Sequence, residues 1–261
     1  MSNAESSVRF SPVSPVTDAT FVAVAGTFGM AGLFGGQLMA LATRAGMATS
    51  PADWMPYSLH ATFLAGGSEG EPVQLTVEQL RNGKRSCHRA ITISQQDAIV
   101  AEIVATFGPE LPAPDEPSSP VLSEPTTDAS DTSAFHTRWH YDEFDLRQPS
   151  DRSQRHDRFH PVWAKLAVPA DQDDAEGWAA AAFLSDLGVV LAAMDPEERR
   201  MTIAISAEHS IWFHRRPDFR EWHLLQTTRE LRTGGRAVVS ARITDAHGRV
   251  VALATQGVLV L

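Results

Sequence analysis

Two polar side chains stand where the surrounding sequence is almost wholly apolar. In AAAAFLSDLGVVLAAM, Ala179 to Met194, one carboxylate, Asp186, interrupts a run that predicts a helix apolar nearly all the way round. In the C-terminal run RVVALATQGVLVL, the amide of Gln256 is equally isolated. Burying an ionised carboxylate without partners costs several kcal/mol or more, and a buried amide must find hydrogen bonds. A buried carboxylate has a raised pKa and is a stronger base, so the chemistry open to Asp186 is general-base catalysis. A plainer reading stands beside it. A Ser-Asp pair within a helical pattern is often an N-cap, which would make Asp186 a first-turn acid favoured by the helix dipole. Ser206, in the strand-like TIAISAEHSIWFH, taken alone is a strand residue bonded to the backbone.

Other constellations offer less. Ten histidines invite a metal, but no spacing resembles a zinc site and there are no paired cysteines. His209 and His214 are five apart in a strand, so they face opposite sides of its sheet and read as structural, with pocket lining the lesser option. Glu208 and His209 suggest an acid/base pair, but adjacent strand residues point apart. There is no GxSxG nucleophile elbow. The glycine-rich GTFGMAGLFGG lacks both the spacing and the Lys of a phosphate loop, and reads as a close helix–strand approach. No metal and no cofactor is implied.

The chain has 261 residues, 43% of them hydrophobic, enough for one large core or two small ones. No apolar run reaches the roughly 18 residues of a membrane span, and MSNAESSVRF is not a secretory signal. The single cysteine, Cys87, rules out an intramolecular disulfide framework and makes a cytoplasmic address the default. A net charge of −10 disfavours nucleic-acid binding.

The elements that must position these residues come in two sets. Residues 109–133, PELPAPDEPSSPVLSEPTTDASDTS, have the Pro/Ser/acidic composition of a linker or disordered segment. They separate residues 1–108 from 134–261. In the first half, a helix over GLFGGQLMALATRAG precedes strands YSLHATFLAG, VQLTVEQL, SCHRAITIS and AIVAEIVATF. In the second, the Asp186 helix precedes TIAISAEHSIWFH, EWHLLQTTREL, AVVSARIT and RVVALATQGVLVL. Short strand candidates lie upstream of each helix: TFVAVAG in the first half, HTRWHYDEFDLR and PVWAKLAV in the second. The offsets are nearly constant: Gly36 to Asp186 (186 − 36 = 150), Ser58 to Ser206 (206 − 58 = 148), Thr106 to Gln256 (256 − 106 = 150). This is an internal duplication, and its order predicts an α+β fold in which each half wraps a sheet round a buried helix.

LFGGQLMALA, YSLHATFLAGG and VEQLRNGKRSCHRAIT resemble the first half of the acyl-CoA thioesterase II family, and FLSDL, HSIWFHR and ALATQG resemble its second half. The likeness covers most of residues 26–108 and 134–261. It implies a double hotdog, two tandem antiparallel sheets each wrapped round a central helix. It also implies a catalytic Asp, hydroxyl residue and Gln, which fall on Asp186, Ser206 and Gln256. The first half, with Gly36, Ser58 and Thr106 at the matching places, is then a copy without a site.

The implied activity is hydrolysis of acyl-CoA to a free acid and coenzyme A by a water held by these three residues. The oxyanion donors are backbone N–H groups that the sequence does not single out. The alternative is a non-catalytic hotdog protein that binds an acyl thioester or lipid-like ligand, and a weaker one is a hydratase. Basic pairs at Lys84-Arg85, Arg215-Arg216 and Arg232/Arg236 suit the phosphates of coenzyme A or a solvated strand end equally. A homodimer or higher homo-oligomer is expected from exposed sheet edges. The family pattern is broken at Ala65-Gly66, Glu208 and Gly257, which bears on substrate preference and rate.

Overall fold

The computed structural model describes residues 13–112, 119–128, 143–156, 159–167, 175–200 and 202–261. The first half opens with a two-residue strand, β1 (Ser14–Pro15), and β2 (Thr20–Val24). The helix α1 (Gly35–Ala48) follows, and then β3 (Trp54–Phe63), β4 (Pro72–Asn82), β5 (Cys87–Gln95) and β6 (Ala98–Pro109). The second half has β7 (Phe144–Arg147), β8 (Val162–Leu166), α2 (Glu176–Leu184) and a one-turn helix α3 (Val189–Ala192). It ends with β9 (Ala204–Phe213), β10 (His223–Thr233), β11 (Arg236–Asp245) and β12 (Val250–Val260).

Among the described residues, all twelve strands belong to one antiparallel sheet, in the order β1-β2-β4-β5-β6-β3-β9-β12-β11-β10-β8-β7. The two expected sheets are thus joined edge to edge where β3 pairs with β9, from Ser58 opposite Trp212 to Thr62 opposite Glu208. Strand alternation sets the buried face. Val73, Leu75 and Val77 of β4 and Cys87, Arg89, Ile91 and Ile93 of β5 point inward. The helices lie on that face. Every residue of α1 from Gly36 to Gly46 is buried, and α1 packs against α2, so neither helix needs a polar stripe.

The sequence predicts one helix from Ala179 to Met194. The structure breaks it. Helix α2 ends at Leu184, the chain turns through Ser185–Gly188, and α3 starts again at Val189. Gly188 sits at φ +65°, a left-handed conformation that an L side chain adopts only with strain, and it redirects the chain. Asp186 therefore lies in a buried turn just past α2, neither mid-helix nor in a first turn.

Of the linker, residues 119–128 lie against the second half. The Ser123 carbonyl accepts from Trp163 Nε1, Thr126 N–H bonds the Gln148 carbonyl, and Arg242 reaches Ser119 Oγ. The rest of the linker or disordered segment the sequence suggests, apart from 109–112, and the upstream part of the candidate strand at 136–142 lie outside the described residues. The hairpin turns at Asn82-Gly83, Gly234-Gly235 and Asp245–Gly248 fall where the sequence puts them.

Candidate active site

Three elements deliver three polar groups to one buried place. Asp186 comes from the end of α2, where the last hydrogen bonds tighten: its N–H bonds the Phe183 carbonyl at 3.4 Å and Leu187 N–H bonds Leu184 at 3.0 Å. Gln256 comes from the regular alternation of β12, which turns Ala252, Ala254, Gln256, Val258 and Val260 inward. Ser206 comes from β9 by a less regular route. His209, Ile211 and Phe213 face inward, and strict alternation would turn Ser206 outward. A bulge prevents this. Gly257 pairs with Glu208 and Val258 with Ser206, leaving Ala207 unpaired. The extra residue flips the parity and brings Ser206 onto the inner face.

The sequence-predicted residues meet. Gln256 Nε2 donates to Asp186 Oδ1 at 2.5 Å and to Ser206 Oγ. Both amide protons are thereby used, and Gln256 Oε1 is a buried acceptor with no partner among the described residues. Ser206, accepting from Gln256, turns its own proton toward the same carboxylate, and the backbone N–H of Gly36 completes the set. Asp186 is 5% exposed. Burial pushes its pKa up to about 7, against the opposing pull of Gln256, Gly36 and Ser206, named in order of strength. At neutral pH such a carboxylate is ionised in a large fraction of molecules and basic enough to take a proton from water.

Gly36 belongs to α1, so the first half contributes to the site. Helix α1 has no side-chain N-cap; the N–H groups of Gln37 and Leu38 bond the Phe34 carbonyl, and the Gly36 N–H, at the positive end of the dipole, donates to Asp186 across the chain. The approach is close: a methyl on Gly35 would sit 2.7 Å from Asp186 Oδ2 and 2.8 Å from the Phe63 ring. Phe28, Phe34 and Phe183 pack edge to face beside this junction, with centroids 4.8–5.5 Å apart.

The first-half counterparts expected from the offset need correction. Helix α1 starts at 35 and α2 at 176, an offset of 141, so Asp186 corresponds to Ala45 (186 − 141 = 45), and Gly36 is its neighbour in space. In the ladders, Gln256 opposite His209 corresponds to Ala105 opposite Leu59, and Val258 opposite Ser206 to Phe107 opposite Pro56. Tyr57 bulges in β3 where Ala207 bulges in β9. Ala45, Pro56 and Ala105 offer no side-chain donor or acceptor at the matching places.

His209 and His214 do face opposite ways: His214 is exposed, whereas His209 is fully buried, its Nε2 2.8 Å from Ser185 Oγ. Burial lowers its pKa to about 4. The sequence reading, which took His209 as structural, missed this contact, because it joins residues 24 apart and neither stretch carries a local signal of it. Among the described residues, no three or more His, Cys, Asp or Glu gather as a metal site. The departures have places too. Glu208 is exposed on the outer face with Gly257 beside it, away from Asp186. Gly66 lies under the glycine-rich loop, its carbonyl accepting from Leu33 N–H at 2.6 Å. Of the basic pairs, Arg232 is held by Glu198 and Asp195, and Arg216 is 3.7 Å from Glu110.

Comparison with known proteins agrees with this architecture. Residues 24–108 match the family model described as acyl-CoA thioesterase N-terminal domain, and residues 109–260 the one described as acyl-CoA thioesterase C-terminal domain. The chain is similar to acyl-CoA thioesterase 2 of Haemophilus influenzae, 26% identical over 92% of each chain. It is also similar to peroxisomal acyl-coenzyme A thioester hydrolase 1 of Saccharomyces cerevisiae, 23% identical over 98% of this chain and 93% of that one. Among solved structures it resembles the acyl-CoA thioesterase II TesB2 of Mycobacterium marinum, with TM-score 0.80 and 22% identity over 97% of both chains. A hot dog fold protein of Alicyclobacillus acidocaldarius superposes with TM-score 0.71 and 17% identity over 97% of both chains. No helix among the described residues is long and apolar enough to cross a membrane.

Proposed function

The chain belongs to the acyl-CoA thioesterase family and is a thioester hydrolase; from that premise we propose that Asp186, Ser206 and Gln256 hydrolyse acyl-CoA by direct attack of water. Asp186 accepts a proton from a water held beside it, and the water oxygen bonds to the thioester carbonyl carbon. Collapse of the tetrahedral adduct breaks the C–S bond, and the proton taken by Asp186 passes to the departing thiolate. The products are a carboxylic acid and coenzyme A. Ser206 and Gln256 fix the carboxylate and the water, and positioning of this kind supplies much of what a reaction without a covalent intermediate needs.

The observation that carries this reading is a carboxylate nearly out of solvent, raised to about 7 and ringed by three donors. Any buried carboxylate needs the donors; the pKa raised to about 7 in spite of them is what suits this one to act as a base near neutral pH. The test is release of free thiol from a panel of short, medium and long acyl-CoAs. Wild type is expected to turn over part of the panel, and Asp186→Asn to lose at least about a hundredfold in kcat. Undiminished release by the variant removes Asp186 from the mechanism. Tight binding by wild type with no release across the panel makes the chain a non-catalytic acyl-thioester binder.

A further inference from the structure

We propose that His209 and Ser185 form a positioning pair that holds Asp186 in place against Gln256, an inference that rests on Asp186 being the base. Ser185 immediately precedes Asp186, and both it and His209 are fully buried. Ser185 Oγ lies 2.7 Å from the Ala182 carbonyl and 2.8 Å from His209 Nε2. A carbonyl only accepts, so the single hydroxyl proton goes to Ala182. Ser185 must then accept from His209, and the imidazole carries its proton on Nε2. Ala182 needs that proton because the N–H of Asp186 has slipped to the Phe183 carbonyl as the helix ends. The hydroxyl therefore closes the last turn of α2 and ties it to β9 at the same time.

The imidazole is well placed to transmit this. His209 is the direct cross-strand partner of Gln256, so one residue of β9 is linked both to the residue before Asp186 and to the strand position that carries its hydrogen-bond donor. On the other side of the turn, His160 Nε2 donates to the Leu187 carbonyl at 3.1 Å. Burial keeps His209 uncharged across the neutral range, leaving it a single-proton donor. Its Nδ1 is a buried acceptor with no partner among the described residues. Filling space does not call for such a group: a leucine would fill the site without burying an unsatisfied nitrogen.

The experiment uses the full chain and the acyl-CoA turned over fastest in the chain-length panel, with thermal melts beside the kinetics. His209→Leu and Ser185→Ala are each expected to lower kcat about tenfold or more with KM within about threefold, because a base displaced by a fraction of an ångström loses rate before it loses binding. The double variant is expected to be no worse than the poorer single one, since both act through one contact. His209→Gln presents a donor with similar reach and is expected to restore kcat to within about threefold of wild type. Should His209→Leu fail to fold, Ser185→Ala, which deletes one oxygen, decides alone. The inference is overturned if folded Ser185→Ala turns over within twofold of wild type, or if His209→Gln is as impaired as His209→Leu. Asp186→Asn serves as the reference: its retaining turnover would instead overturn the assignment of the base itself.

Discussion

Replacing Asp186 by asparagine removes a charge while nearly keeping a shape, and burial sets the size of the effect on stability. In the unfolded chain the carboxyl ionises near the ordinary 3.8, whereas in the folded chain burial holds the proton until about 7. About three pKa units at roughly 1.4 kcal/mol each amount to about 4 kcal/mol. The sign follows from which state binds the proton. Below pH 4 the group is protonated in both states and nothing is lost. As pH rises from about 4 to about 7 the unfolded chain has given up its proton while the folded chain still holds it, so folded stability falls, and above about 7 the full cost remains. Asparagine has no such titration. The stability of Asp186→Asn relative to wild type is therefore expected to rise by about 4 kcal/mol between pH 4 and pH 8.5. In a protein of this size that corresponds to roughly 10 °C in Tm.

His209, lowered to about 4, contributes in the opposite sense, its stabilisation fading as pH falls from about 6.5 to 4. It is present in both proteins and cancels in the difference. Urea unfolding of the pair at pH 5, 6, 7 and 8.5 measures the effect. A difference that stays flat over that range would refute the reasoning, since it would mean that Asp186 is ionised throughout and is not held above its usual range.

The same titration governs turnover. Wild-type kcat/KM is expected to rise with pH to a plateau above about 7 and to lie about a hundredfold lower at pH 5, checked by thiol release across that range. Gln256→Leu removes two donated hydrogen bonds, so the acid limb is expected to move to higher pH as kcat falls. Gly35→Ala places a methyl 2.7 Å from Asp186 Oδ2, and displacing the carboxylate is expected to cost about a hundredfold in kcat with the fold retained. Arg44 and Glu176 form a buried ion pair between α1 and α2. Arg44→Met leaves the carboxylate uncompensated at about 3–5 kcal/mol, and Arg44→Met with Glu176→Leu recovers most of it, both read by urea unfolding.

Much of this protein is legible without its fold. Apolar residues at period two in β4, β5 and β12 and turn residues such as Asn82-Gly83 are local properties of the chain, and their repetition in the same order shows the duplication even though the individual counterparts shift. Local patterns decide which face of an element is buried and where hairpins reverse. Asp186 and Gln256 stand out for a related reason: a polar group in an apolar run must be satisfied, whatever satisfies it.

What joins them is not local. The break of the long helix at Ser185 turns on Gly188 and on a hydroxyl bonded back to Ala182, both of which an all-apolar helical pattern conceals. Ser206 reaches the inner face only because Ala207 is unpaired, a register shift set by the facing strand. Gly36 bonds Asp186 from the other half of the chain, although the sequence offset makes the two look like equivalent positions. The sequence by itself determined the residue types, the order of elements in each half and the buried faces, since each is set by neighbours a few residues apart, and comparing the two orders shows the duplication. Only the tertiary structure decided which helix end, which bulge and which strand partner meet at the carboxylate, because those contacts join residues that lie 20 to 150 positions apart.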